Sequence, residues 1–200
     1  ANWPFDSAKA RELQGDVREK TINIEDPDGQ TLELEMVLIP AGEFVMGDPK
    51  GGRDENPICA VTIDKPFWIS KDVITNAQYN VFDPIHDTRY QDEDGKDHAV
   101  PGYIANHPDQ PVSRISWQEA TSFCEWLSEQ TGRTVTLPTE SQWEWAARAG
   151  SENQFFYGDR DTDFSTYANL ADRERRRTYV KWDGGSKVHI RRDYPENYLY

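Results

Sequence analysis

Two cysteines, Cys59 and Cys124, are the first residues to weigh, because a thiolate is both a nucleophile and a soft metal ligand. They form no CxxC knuckle and are too few for a disulfide framework. Cys124 follows Phe123 and precedes Leu127 on an apolar stripe, which predicts a buried, inert thiol. Cys59 stands beside a strand start and reads as structural, with a disulfide to Cys124 left open. A second set combines imidazole and carboxylate in one acidic stretch: His86, Asp87, Asp92, Asp94, Asp97, His98 and His107. Such groups can hold metals, but the spacing matches no defined site, and Asp92-x-Asp94-Gly95 falls short of an EF-hand loop. A solvated insertion is the better reading. Asp159, Asp161 and Asp163 alternate as in calcium loops, without the glycine or distal glutamate that would complete one. Asn169-Leu170 and Asp183-Gly184-Gly185 offer hard oxygens of the kind calcium takes, though spacing alone does not make them a site. No G-x-S-x-G elbow, phosphate-binding glycine loop or H-E-x-x-H pair is present.

The elements that must position these residues have readable boundaries. Thr75-x-x-Gln78, Ser116-x-x-Glu119 and Thr139-x-x-Gln142 are capping boxes, each opening a helix by satisfying two orphan N–H groups reciprocally. The second helix carries Ala120, Phe123, Cys124 and Leu127 at i, i+3, i+4 and i+7 and stops at Gly132. The third places Trp143, Ala146 and Ala147 on one face and stops at Gly150. Upstream, Asp6 to Lys20 is helix-permissive, with Ala8, Ala10, Leu13 and Val17 on an apolar stripe. Segments 21–25 and 31–39 alternate around Pro27-Asp28-Gly29, a hairpin signal. Further strands are expected at 44–47 and 60–70, the latter with Val61, Ile63, Phe67 and Ile69 inward. His86 to Gln110 reads as irregular, and 151–200 shows little periodicity but many aromatics and an arginine cluster at 173–177. A loop-rich stretch of that length is usually functional or pinned by a ligand.

Composition narrows the function classes. The 200 residues are 36% hydrophobic and 12% aromatic with seven tryptophans, enough for one sizeable domain and against disorder throughout. No run of 18 apolar residues exists, so no transmembrane helix and no membrane insertion are expected. A net charge of −14, from 36 acidic and 22 basic residues, repels phosphate backbones and argues against nucleic acid as a partner.

Four blocks resemble one known family. Met36 to Gly47 (MVLIPAGEFVMG) looks like its entry strand. Pro57 to Val61, Phe67 and Val73 to Tyr79 (VITNAQY) match its "P…V…F…VTNxQY" stretch. Gln110 to Ala120 with Phe123, Cys124 and Trp126 match "PV…VSWxEAxxFCxW", and Leu137 to Gly150 match "RLPTExEWEyAARgG". Order and spacing agree over about residues 34–171, and together they resemble the formylglycine-generating enzyme family, or sulfatase-modifying factors. Departures are Thr136 for arginine, Gln142 for glutamate, and FFYGD at 155–159 for "FPWGN/D".

The resemblance implies an α+β chain, the formylglycine-generating-enzyme variety of the C-type-lectin-like fold, with little regular secondary structure. Residues 1–33 are expected to form a helical arm and the first hairpin strand, and 34–200 the domain itself, truncated before its C-terminal motifs. The family's enzymes oxidise a sulfatase cysteine to formylglycine with molecular oxygen and copper(I) held by two cysteines, a soft pair suited to that ion. In the family that pair lies in a later "RGGSW…C…C" block, and neither Cys59 nor Cys124 matches it, so copper is expected only if cysteines follow Tyr200. This chain alone is expected to be inactive, with no catalytic residue assigned. Calcium positions carry over as Asn169, the Leu170 carbonyl, Asp183 and Gly185. A sulfatase, or another protein or peptide, is the implied partner. The alternative function is a non-catalytic binding or scaffold module of the same fold. Ala1 in place of Met and the family's frequent extracytoplasmic use point to a periplasmic or secreted location.

Overall fold

The computed structural model describes residues 3–25, 29, 31–92, 101–153, 155–159, 161–163 and 167, and strands at 181–183 and 186–188; of 91–92, 101–103 and those two strands only the backbone is described. The chain divides into two compact units, Ala1–Val73 with Ser116–Asp163, and Ile74–Ile115 with Phe164–Tyr200.

The first unit opens with helix α1 (Ser7–Gln14), capped by the Asp6 carboxylate accepting from Lys9 N at 2.8 Å and closed at Gly15, whose φ of 74° ends the helix. The helical stripe expected to reach Lys20 therefore stops early, and the chain enters β1 (Glu19–Glu25). Strand β1 pairs antiparallel with β2 (Thr31–Ile39), and β2 with β5 (Phe67–Ser70), in the order β1-β2-β5. Alternation along the hairpin buries Ile24, Leu32 and Leu34 and leaves their neighbours in water. Strands β3 (Gly42–Met46) and β4 (Cys59–Ile63) form a separate antiparallel pair. The single strand expected over 60–70 is thus two strands in two sheets. Asp64, Lys65 and Pro66 separate them, and a proline has no N–H to continue a ladder.

Helix α3 (Trp117–Thr131) buries Phe123, Cys124 and Leu127, packs against β1, and ends at Gly132 in the left-handed conformation, as its sequence predicts. Helix α4 (Glu140–Arg148) packs against β3 and β4. Trp143, Ala146 and Ala147 share one face, as expected, but a different side of the helix fills the core. Trp143 is 62% exposed, whereas Trp145 is 2% exposed and joins Phe44 and Ile63 in a core flanked by Trp3, Phe5, Ile39, Met46, Val61 and Phe67. Trp145 meets Phe44 at 5.3 Å and the edge of Phe5 at 5.6 Å between ring centroids, and its indole N–H donates to Pro40 O at 2.8 Å. The inward face of α4 also holds Glu144 and Arg148, so a search for apolar periodicity misses it. Ala149 takes the left-handed cap, one residue before the expected stop. Gly150 follows because its carbonyl accepts from Phe5 N at 3.0 Å and a Cβ there would collide with the Phe5 ring.

In the second unit, α2 (Asn76–Asn80) starts at the Thr75 capping box. The stretch read as irregular contains the antiparallel pair β6 (Tyr90–Asp92) and β7 (Pro101–Ile104), with a register irregularity between Tyr90 and Asp92. The pair β8 (Lys181–Asp183) and β9 (Ser186–Val188) brings Asp183 opposite Ser186. Among the described residues no helix is long and apolar enough to cross a membrane.

Candidate functional site

The second unit builds an open cleft of about 440 Å³, lined by Asp83, Ile85, His86, Asp87, Arg89 and Arg114. Its support is a buried polar hub. Asn76 and Thr88 are each 1% exposed, a costly placement for polar side chains unless every group is paired. Asn76 Nδ2 donates to the carbonyls of Ala105 (3.0 Å) and His107 (2.8 Å), and its Oδ1 accepts from Thr88 Oγ1 at 2.5 Å. Its backbone N–H donates to Gln110 O at 2.9 Å. One amide thus ties the start of α2 to the segment that returns from β7. The capping box that opens α2 leaves Asn76 in its first turn, where the side chain is free to reach sideways rather than along the helix.

The lip of the cleft is fastened to this hub. Thr88 N donates to Asn106 Oδ1 at 3.0 Å, and Asn106 Nδ2 donates to Asp87 Oδ1 at 2.8 Å. The same Asp87 oxygen accepts from Arg89 N at 2.8 Å. His86 Nε2 lies 2.9 Å from Ser113 O, and a carbonyl only accepts, so this nitrogen is the donor. The ring stands edge-on to buried Tyr79 at 5.0 Å. Arg89 (φ 63°) and Arg114 (φ 59°) both hold left-handed backbone, which costs a residue with a Cβ about 1–2 kcal/mol. That strain persists because the surrounding bonds determine it, and such positions cluster where ligands bind. Arg114 Nη2 reaches Tyr90 O at 3.4 Å, and Ile85 is 91% exposed. The cleft thus presents two guanidinium groups, carboxylates, an imidazole and an exposed aliphatic side chain.

Both cysteines belong to the first unit and both are free. Cys59 is exposed on β4, and Cys124 is buried on α3, as its stripe predicts. Burial first, and the Glu125 charge second, push the Cys124 thiol above its ordinary range, which suppresses the thiolate that chemistry or metal binding would need.

Of the acidic candidates, His86 and Asp87 serve the hub. His107 Nδ1 lies 3.8 Å from Asp109 Oδ2, with both side chains 65% exposed. Asp94, Asp97 and His98 lie outside the described residues, as does the side chain of Asp92. Among the described residues no group of three or more His, Cys, Asp or Glu could hold a metal. Asp159 closes a small turn, its N–H donating to Thr162 Oγ1 at 3.1 Å. Asn169, Leu170 and Gly185 lie outside the described residues, and Asp183 is described only as the end of β8.

Two arrangements escape a sequence reading. One is the Asn76 hub, whose only local signal is a polar residue directly after an N-cap. The other holds the β3 exit in the first unit. Glu144 Oε1 accepts from Gly47 N at 2.9 Å and from Arg148 Nε at 2.7 Å, while Arg148 Nη2 donates to Gly47 O at 2.8 Å. Gly47 has φ 94°, and a Cβ there would collide with the Glu55 carbonyl.

Comparison with known proteins agrees with these blocks. The sulfatase-modifying factor enzyme 1-like domain matches residues 23–198. A bovine formylglycine-generating enzyme is 27% identical over 165 residues, covering 60% of this chain and 41% of its own. A bovine protein named inactive C-alpha-formylglycine-generating enzyme 2 is 29% identical over 170 residues, covering 64% and 53%. A Chlamydia pneumoniae protein named serine/threonine-protein kinase pkn1 is 34% identical over 141 residues, covering 63% and 21%. The chain therefore spans about half, or less, of the length of these relatives. The solved structure of PvdO from Pseudomonas aeruginosa superposes with a TM-score of 0.50 at 29% identity, over 67% of this chain and 53% of that one. The small sheets, the helices with their capping boxes and this neighbour make the fold α+β of the formylglycine-generating kind, and the chain belongs to the sulfatase-modifying factor enzyme 1-like family.

Proposed function

We propose that this chain supplies the scaffold and a peptide-facing cleft of a formylglycine-generating-type protein whose partner is a sulfatase cysteine segment. The observation that carries the reading is the family match over residues 23–198, joined to a strained and over-determined cleft suited to a polar peptide. The copper pair of the family's enzymes does not fit the thiols present. Cys59 is exposed on a strand, and Cys124 is buried on a helix with its thiolate disfavoured. No oxidative step is therefore assigned to residues 1–200. The test is to incubate the chain with copper, oxygen and a Cys-x-Pro-x-Arg peptide. Binding of the peptide without aldehyde formation is the expected result, and formylglycine in the product would overturn the assignment.

A second reading, a non-catalytic binding or scaffold module, draws on the relative named inactive. Binding of a folded protein that bears no such cysteine segment, with no affinity for the peptide, would favour it. The lectin-like character of the fold and an extracytoplasmic location belong to the same proposal, as family properties. So does calcium at Asn169, the Leu170 carbonyl, Asp183 and Gly185. Amide, carboxylate and carbonyl oxygens are the hard donors that this ion takes. Bound to the native state alone, calcium would raise the melting temperature. A chelator titration that leaves the melting temperature of both the native chain and D183A unmoved would remove the site.

A further inference from the structure

We draw no further inference here: the strongest candidate outside the cleft, the apolar groove of about 320 Å³ that Trp143, Ala146 and Ala147 of α4 form with Val37, Ile39 and Ile69 of β2 and β5, has nothing in the structure to show what covers it.

Discussion

Removing the charge of Glu144 tests whether the link between α4 and the end of β3 holds as a unit. Glu144 and Arg148 are 22% and 13% exposed at their side chains, so water screens them only in part. Glu144 accepts two bonds, from Gly47 N and Arg148 Nε, and Arg148 adds a third to Gly47 O. A hydrogen bond to a charged group contributes about 1.5–3 kcal/mol net. Breaking a fully buried pair by deleting one partner costs about 3–5 kcal/mol, because the other charge is left uncompensated. With the residual exposure, E144A and R148A should each cost about 2–3 kcal/mol, within the first range and not above the foot of the second. The double variant strands no charge. It should cost about 3–4 kcal/mol rather than the sum, giving a coupling of about 1.5 kcal/mol, inside the range seen for residues in one network. E144Q keeps an acceptor for Gly47 N but not the charge, and should fall between wild type and E144A. Urea denaturation followed by tryptophan fluorescence measures all four proteins, and calorimetry should show Tm losses of roughly 2–4 °C per kcal/mol. Additive costs, with coupling below about 0.5 kcal/mol, would show that the three bonds are independent surface contacts and not one network.

Truncating the hub with N76A strands the Thr88 hydroxyl and two carbonyls in a dry site. A loss of about 2–4 kcal/mol is expected by chemical denaturation, and a loss under about 1 kcal/mol would mean that water enters the hub. Relief of backbone strain should make R89G more stable by about 0.5–1 kcal/mol, whereas R89V, β-branched at positive φ, should be less stable by about 1 kcal/mol or more; equal stabilities would deny the left-handed conformation. Cys59 should react with an uncharged thiol reagent in the native protein and Cys124 only on unfolding, so two thiols modified at equal rates would contradict its burial. The raised Cys124 pKa also fixes a sign. The unfolded chain loses its thiol proton first as pH rises past the ordinary value of 9.0, so the unfolded state then binds fewer protons and stability falls with further rise. Lys71 acts in the same direction at higher pH, its ammonium held protonated first by the hydrogen bond from Lys71 to Glu35 and then by the Glu19 charge. C124A should flatten the alkaline limb just above pH 9, and an unchanged limb would exclude the thiol as its source.

The features legible in the chain are those set by local physics. All three capping boxes form, because N-cap hydroxyl and N3 side chain lie within one turn and need no distant partner. The α3 stripe and its glycine stop are likewise local, as is the alternation of the first hairpin. The four blocks carry the family because their rare residues keep order and spacing, and the comparison bears that out. Contacts between residues far apart in the chain decided the rest. Whether Trp143 or Trp145 faces inward depends on Phe5, Phe44 and the Pro40 carbonyl, none of which a helical period contains. The break between β4 and β5 follows from pairing with two different strands. The Glu144 and Arg148 bonds to Gly47 span 97 and 101 residues, and the Asn76 amide reaches 29 and 31 residues along the chain. A buried polar side chain is tolerable only where the fold brings its partners, so tertiary contacts alone could join Asn76, Thr88 and His86, scattered in the chain, into the hub that holds the cleft residues.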